Sequence, residues 1–216
     1  MKDMIKFLKL CKYSFKFKTN CIFLIIFFII GVINEVVTKG TQYLGGFYIV
    51  LTSIYLFQFV MSLSMSDMIQ SSGIGRRIQL DMPVKLNGFL SIVLYTLLIV
   101  FRLSMARIHP EYIVDNTSSL LMIDIMFFLL FIYTGFVYKY FIVSILVFCF
   151  TFAFITTGMN IMNSLDIFSK VSLNDVVIFG YIVIIIGVIL QYLICKILIR
   201  KPISQRAFRG VFKDAK

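Results

Sequence analysis

Apolar residues occur along the chain in six long runs that are separated by short polar segments. The runs cover residues 21–38, 47–66, 88–108, 118–138, 141–160 and 176–200. Each is close to the length of about 20 residues at which an α-helix crosses a bilayer. Apolar positions follow one another continuously within the runs, whereas the strands of a membrane β-barrel alternate. The pattern predicts an all-α integral membrane protein with six transmembrane helices.

A basic and amphipathic segment, residues 1–18, precedes the first run. At about 100° per residue, five lysines share one arc of a helix and five apolar side chains gather opposite them. The lysines are Lys2, Lys6, Lys9, Lys12 and Lys16, and the apolar residues are Met4, Phe7, Leu8, Cys11 and Phe15. The basic stretch is too long for a signal peptide, and no small-residue cleavage site follows. We expect a helix that lies in the membrane interface with its lysines toward the headgroups.

Composition and charge agree with lipid as the solvent. Hydrophobic residues make up 60% of the 216 residues, charged residues make up 14%, and the formal net charge is +11. If both termini are cytoplasmic, 17 of the 21 Lys and Arg residues lie on the cytoplasmic side. The positive-inside rule therefore predicts cytoplasmic termini. The cations fall between and beyond the apolar runs, so we expect membrane lipid as a partner and no nucleic acid.

No linker is long enough to separate a second folded domain, so we expect one transmembrane domain over residues 1–216. The bundle would cover residues 19–200, and a basic cytoplasmic tail would cover residues 201–216. Only a tight turn around Lys139 separates the fourth and fifth runs. These two runs are predicted to form an antiparallel hairpin.

The polar loop between the second and third runs has the pattern of a short amphipathic helix. Ile74, Ile78 and Met82 fall at i, i+4 and i+8 and form one apolar stripe. Its charged residues point elsewhere and are Arg76, Arg77 and Asp81. Two interpretations stay open. The segment is either an interfacial loop with positive-inside charge or a docking element for a cytoplasmic partner.

Two signals predict where this loop ends. Pro83 disfavours a helical conformation at Met82, so the short helix is expected to stop there. Asn87 and Gly88 form a dipeptide typical of turns, which predicts a second break just before the third run.

Polar side chains of the second run, Tyr55, Gln58 and Ser62, lie on roughly one side of the predicted helix. In lipid these groups need partners. They are interpreted either as the lining of a substrate pathway or as hydrogen-bonding groups for neighbouring helices.

Charged residues within the runs predict an intramembrane ion pair. Arg102 and Asp124 each lie about six residues inside the same end of consecutive, antiparallel spans, which is roughly 9 Å of depth. A charge in the membrane interior usually has a partner. We predict that the two residues pair, with Glu35 as a possible third member. The pair would either close one end of the bundle or act as a gate; the alternative is that Arg102 snorkels to the headgroups while Asp124 faces a wet cavity.

Small residues recur at seven-residue spacing in the last two runs. Ser144, Thr151 and Gly158 form such a stripe in the fifth run, and Gly180 and Gly187 form one in the sixth. Small stripes let helices approach closely in lipid. The stripes are interpreted as packing faces within the bundle or as the seam of a dimer.

Several enzyme and metal chemistries find no support in the sequence. The four cysteines are scattered, His109 is the single histidine, and no paired glutamates occur within the runs, so we expect no metal site and no intramembrane hydrolase. The chain has no G-x-x-x-x-G-K-[ST] phosphate loop, so we expect no enzyme activity and no ATP site on this chain.

Taken together, the interfacial helix, the six runs and a basic loop that leads into "LDMPVKLNGF" resemble the membrane subunit of a type-2 ABC exporter. Leu80, Pro83 and Val84 match the family's loop motif loosely, and Lys85 stands near its usual basic position. The small size is similar to permeases that export phenol-soluble modulins or bacteriocins, or that confer self-immunity.

This resemblance implies a location in the bacterial cytoplasmic membrane and an arrangement of partners. Two copies of the chain, or one copy and a related permease, would form the pathway for amphipathic peptides. ATP and Mg²⁺ would bind to separate ATPase subunits that dock on the helix around Ile74 to Met82. A stand-alone secondary transporter and a non-transporting immunity or assembly protein are the alternatives.

Overall fold

Six α-helices form the part of the chain that the structure describes. The computed structural model describes residues 17–64, 80–137, 139–164, 171–198 and 201, without the side chains at 54–56, 58–64, 159–160 and 162–164. The helices are α1 (Phe17–Thr38), α2 (Leu44–Ser64), α3 (Asp81–Ile108), α4 (Ile113–Phe136), α5 (Phe141–Ser164) and α6 (Leu173–Leu198). A 3₁₀ turn at Pro110–Tyr112 joins α3 to α4, and these described residues contain no strand. The predicted all-α class is confirmed for this part of the chain.

Five of these helices, α1, α3, α4, α5 and α6, are long and apolar enough to cross a membrane. The helix α2 has 21 residues, Leu44–Ser64, and its part with continuously described side chains, Leu44–Ser53, is apolar. Large apolar side chains project outward from the bundle, such as Phe150, Phe154 and Ile197, which are 74%, 81% and 74% exposed. Such a surface suits lipid rather than water, and the described helices have the character of a multi-pass membrane protein.

Two helix ends coincide with the predicted ends of runs. The α1 helix ends at Thr38, where Lys39 and Gly40 adopt φ angles of 54° and 77°. The amide of Gly40 donates to the carbonyl of Glu35 at 3.1 Å, and the amide of Lys39 donates to that of Val36 at 3.3 Å. This pair of bonds is a Schellman motif, which ends a helix by satisfying its last carbonyls. The α3 helix ends at Ile108, just before His109-Pro110.

The predicted breaks at Pro83 and at Asn87-Gly88 are wrong. The α3 helix begins at Asp81 and continues without interruption through all three residues. Pro83 lies in the first helical turn, where a missing N–H is tolerated because that donor has no partner within the helix. Gly88 packs on α6, since a Cβ there would lie 2.9 Å from Cγ2 of Val188. Asp81 and Met82 therefore belong to the start of a long helix, and no helix ends at Met82.

The helix α4 lies at the centre of the bundle. It packs most extensively on α6 and also contacts α5, α2 and α3. The predicted α4–α5 hairpin is confirmed: a turn near Lys139, whose amide donates to the carbonyl of Phe136 at 3.0 Å, joins two helices that contact each other. The helix α1 packs on α2, while α3 contacts both α2 and α6.

The core is a cluster of aromatic and aliphatic side chains between α3, α4 and α6. Tyr95 meets Phe127 edge to face with ring centroids 5.8 Å apart, and Phe127 stacks near Phe131 at 6.5 Å. Gly187 of α6 lies directly against the ring of Phe131, where an added Cβ would collide with the ring. The glycine stripe of α6, including Gly180, therefore serves packing within this chain.

The helix bundle has two ends, which we name after a residue at each. The Arg102 end holds the α1–α2 and α3–α4 connections. The Lys139 end holds the α4–α5 turn and the end of α6, where the ammonium of Lys201 donates to the hydroxyl of Tyr140 at 2.5 Å.

Candidate functional site

A buried ion pair joins α1 and α3 at the Arg102 end. Nη2 of Arg102 donates to Oε1 of Glu35 at 2.8 Å, and Nε donates to Oε2 at 3.2 Å. The two side chains are 1% and 3% exposed. A bidentate arrangement of this kind is the strongest geometry of a carboxylate–guanidinium pair.

The other donors of Arg102 bond to the loops and to α4. Nη2 also donates to the carbonyl of Gln42 at 3.0 Å, and Nη1 donates to the carbonyl of Asn116 at 3.4 Å. A short hydrogen bond runs from Nη1 to the hydroxyl of Ser119, which in turn donates to the carbonyl of Gly40 at 2.9 Å. All five N–H groups of the guanidinium therefore have partners. Arg102, Glu35 and Ser119, with these carbonyls, are called the Arg102 cluster.

Glycines allow the chain to close around this cluster. A Cβ at Gly45 would lie 2.7 Å from Cγ of Glu35, and one at Gly46 would lie 3.4 Å from its Oε1. A Cβ at Gly40 would collide with the side-chain oxygen of Asn116. Because α2 starts with glycines, its first turn lies directly on the carboxylate and excludes solvent from it.

The Arg102 cluster ties α1, the α1–α2 loop, α3 and α4 to one another. A buried pair whose donors and acceptors are all satisfied fixes relative positions, and its charges cancel locally. Because every N–H group of the guanidinium is already bonded, the Arg102 cluster has the geometry of a structural contact that holds these four segments together.

The predicted Arg102–Asp124 pair is not formed. Arg102 pairs with Glu35, which was predicted as a third member of the group, and the Asp124 carboxylate makes no hydrogen bond of normal geometry among the described residues. The reason is the start of α4, which is Ile113 rather than the predicted residue 118. Asp124 therefore lies about 16 Å along the helix instead of roughly 9 Å, and Asn116 and Ser119 stand level with Arg102.

Asp124 faces Tyr95 across the point where α3, α4 and α6 meet. The two residues are 1% and 0% exposed. A Cβ at Gly180 would collide with the hydroxyl of Tyr95 and would lie 2.5 Å from Oδ1 of Asp124. Neither the hydroxyl nor either carboxylate oxygen makes a hydrogen bond of normal geometry within the described part of the chain. Tyr95 and Asp124 are called the Asp124 site.

A second polar group joins α3, α4 and α6 nearer the Lys139 end. Nδ2 of Asn87 donates to Oε1 of Gln191 at 3.3 Å, and Nε2 of Gln191 donates to the hydroxyl of Thr134 at 2.9 Å. The Thr134 hydroxyl donates to the carbonyl of Leu130 at 2.7 Å. The sequence had placed Asn87 in a turn, so this contact was not anticipated.

An apolar cavity of about 400 Å³ lies between α4 and α5. Val143 and Val147, at its edge, are 59% and 58% exposed, so the cavity is open along one side. Aliphatic and aromatic side chains form nearly all of its wall, and the full lining is Leu129, Ile132, Tyr133, Phe136, Tyr140, Val143, Ser144, Val147, Phe148 and Thr151. We call it the α4–α5 cavity.

The small-residue stripe of α5 divides between two environments. Ser144 and Thr151 line the α4–α5 cavity, where their short side chains leave room against α4. Around Gly158, by contrast, a Cβ would meet nothing within 4 Å. Two of the three residues therefore face this chain's own helix α4.

Other predicted sites lie outside the described residues. These are the interfacial helix up to residue 16, the docking residues Ile74, Arg76, Arg77 and Ile78, the side chains of Tyr55, Gln58 and Ser62, and the tail from residue 202. Within the described ranges, no group of three or more His, Cys, Asp or Glu side chains could hold a metal ion.

No family model matches the chain, and neither the curated proteins nor the solved structures contain a significant match.

Proposed function

We propose that this chain is the membrane-spanning permease subunit of an ATP-driven exporter of amphipathic or hydrophobic peptides. The observation that carries this proposal is the α4–α5 cavity. The cavity begins beside Tyr140 at the Lys139 end, which positive-inside charge predicts to be cytoplasmic. Its wall suits an apolar ligand.

The size and shape of the cavity favour one face of a peptide helix. About 400 Å³ accommodates a few apolar side chains but not a whole helix. An amphipathic helix inserts its anchors at i, i+3, i+4 and i+7 into such a groove and keeps its polar face outside. The Tyr133 ring and the hydroxyls of Ser144 and Thr151 provide limited polarity near these anchors.

Closure of the opposite end supports the same function. The Arg102 cluster ties α1, α3 and α4 together at the end that the charge distribution predicts to be outside. A substrate cavity at one end and a sealed opposite end are what an exporter needs before the energy-consuming step. Two copies, or this chain and a related permease, would complete the pathway.

The energy source would be a separate ATPase, because the sequence contains no phosphate loop. The segment around Ile74 to Met82 is the proposed contact, with Arg76 and Arg77 meeting acidic groups. That segment leads directly into α3, which carries Arg102 at its far end. One rigid helix thus connects the proposed docking segment to the closure.

Reconstitution tests this proposal. The chain is purified with the ATPase subunit that co-purifies with it from its native membrane, and ATP hydrolysis in proteoliposomes is measured with a cationic amphipathic peptide as the probe. We expect the peptide to stimulate hydrolysis, Thr151→Phe to abolish the stimulation, and Ala153→Phe to leave it intact. Thr151 lines the cavity, whereas Ala153 is exposed two residues further and does not line it. Failure to associate with the ATPase, or equal stimulation of both variants, would contradict the proposal.

A stand-alone secondary transporter is the second candidate, and the unpaired Asp124 favours it. Secondary transporters place ionisable groups inside the membrane where they carry protons. Peptide uptake into vesicles that depends on a pH gradient and needs no ATPase would favour this candidate over the first.

A further inference from the structure

Asp124 is a buried carboxyl group that none of the contacts described above explains. Its side chain lies between helices rather than toward lipid, and the Tyr95 hydroxyl faces it. Neither carboxyl oxygen makes a hydrogen bond of normal geometry among the described residues. An ionised carboxylate without donors is strongly disfavoured in a bilayer, so such residues pair, contact water or carry a proton.

No described residue is free to act as a counter-ion for Asp124. Arg102 is the charged group that acts on Asp124 from α3. All five of its N–H groups are already bonded in the Arg102 cluster, and Glu35 balances its charge. An ionised Asp124 would therefore add an uncompensated negative charge to the bundle.

The remaining groups near the site are neutral phenols. Tyr95 of α3 faces the carboxyl group directly, and Tyr181 of α6 meets Tyr95 edge to face with ring centroids 5.2 Å apart. The Tyr95 hydroxyl can donate to either form of the carboxyl group and can accept from the protonated form. One neutral donor does not offset a full negative charge inside a bilayer, so the absence of a counter-ion favours the protonated form.

We propose that the Asp124 site is a proton-binding site: Asp124 carries a proton while α3, α4 and α6 are closed around it and releases that proton when they separate. On release, the carboxyl O–H bond breaks, the electron pair stays on the carboxylate, and the proton passes to water that enters the opened site. No other reactant is needed.

Gly180 is the structural reason that the closed arrangement is possible. It brings the α6 backbone against both side chains, since any Cβ there would collide with the Tyr95 hydroxyl. The same contact excludes water. Solvation of a released carboxylate therefore requires α6 to move away from α3 and α4, so proton release and helix separation are coupled.

The test is infrared spectroscopy of the full chain in lipid nanodiscs at neutral pH. We expect a carbonyl-stretch band of a protonated carboxylic acid that shifts in D₂O, is lost in Asp124→Asn and is retained in Glu111→Gln. Glu111 lies in the 3₁₀ turn and is exposed, so it serves as the matched carboxyl control. Tyr95→Phe should shift the band to higher frequency because the protonated acid loses its acceptor.

The melting temperature provides a second test, which also shows whether the Asp124→Asn variant is folded. Asn has the shape of a neutral carboxyl group, so Asp124→Asn should melt at the wild-type temperature at neutral pH. Raising the pH should lower the melting temperature of the wild type relative to that of Asp124→Asn. Absence of the protonated band in the wild type, or its persistence in Asp124→Asn, would overturn the proposal. Peptide-stimulated ATP hydrolysis could survive either result, so this failure differs from failure of the export function.

Discussion

Arg102 and Glu35 lie 67 residues apart in the sequence and form a bidentate pair, with Nη2 2.8 Å from Oε1 and Nε 3.2 Å from Oε2. The pair connects the last turn of α1 to α3 about six residues before its end, and the same guanidinium donates to the carbonyl of Gln42 in the α1–α2 loop and to that of Asn116 in α4. The bundle is therefore held at this end by one charged residue and its ring of acceptors.

Loss of one partner of this pair should destabilise the protein more than loss of both. Glu35→Ala leaves Arg102 buried and uncompensated, which costs about 3–5 kcal/mol by analogy with other buried pairs, and Arg102→Ala leaves the carboxylate in the same position. The double variant removes both charges and should recover part of the loss. Thermal unfolding in detergent measures the four proteins, and Arg107→Ala, exposed on the same helix, serves as the control. Strictly additive losses would contradict the pairing.

Alanine at two glycines of α6 should lower stability, whereas alanine at Gly158 should not. An added Cβ at Gly180 meets the hydroxyl of Tyr95, and one at Gly187 meets the ring of Phe131, so α6 must move away from α4. Overpacking of this kind typically costs about 1–3 kcal/mol. At Gly158 a Cβ meets nothing within 4 Å, so this variant is the matched control in the same thermal assay. Equal melting temperatures for all three variants would show that α6 does not pack as described.

The ends of α1 and α3 were predicted from the ends of the apolar runs at residues 38 and 108, and both agree with the structure. The local signals failed, because Pro83 and Asn87-Gly88 lie inside α3. A proline in the first turn and a glycine packed on a neighbouring helix are both compatible with a helix, and only the tertiary structure shows that these residues are used in this way.

The partner of Arg102 was predicted less well, because hydropathy measures polarity and not contacts. Asn116 was left before the fourth run and Ser119 was given no role at the start of that run, yet they are 0% and 5% exposed and supply acceptors to Arg102. A buried charge such as Arg102 stabilises polar residues within a membrane-spanning helix, where lipid alone would disfavour them. The rotation and depth of each helix then depend on such contacts, which a single sequence does not show.

Charge reversal of Arg76 and Arg77 should separate the chain from its proposed ATPase. If these arginines meet acidic groups, the double Glu variant places like charges at the contact, which costs affinity and specificity. We expect loss of co-purification while the melting temperature of the membrane chain stays unchanged. Arg107→Glu, an exposed residue at the other end of α3, is the control for added negative charge. Normal co-purification of the double variant would contradict the docking proposal.

The hydrogen-bonded contact of Asn87, Gln191 and Thr134 should show coupling in a double-mutant cycle. Gln191→Leu removes an acceptor from Asn87 and a donor to Thr134, and it leaves a buried amide unpaired. Interhelical hydrogen bonds in membranes contribute about 0.6 kcal/mol on average and up to about 1.7 kcal/mol. Because Gln191 contacts both other helices, we expect a loss near the upper value.

The cycle compares Asn87→Leu, Gln191→Leu and the double variant by thermal unfolding in detergent. The double variant should be less destabilised than the sum of the singles, because Asn87→Leu also removes the group that Gln191→Leu leaves unpaired. The control is the 3.0 Å contact of Thr96 with the hydroxyl of Tyr181, which joins the same two helices at an exposed position. Thr96→Val should cost less than Gln191→Leu, because it removes one interhelical hydrogen bond whereas Gln191→Leu removes two. If the Asn87 and Gln191 losses add without coupling, the two side chains act independently, and Gln191 stabilises α6 through Thr134 alone.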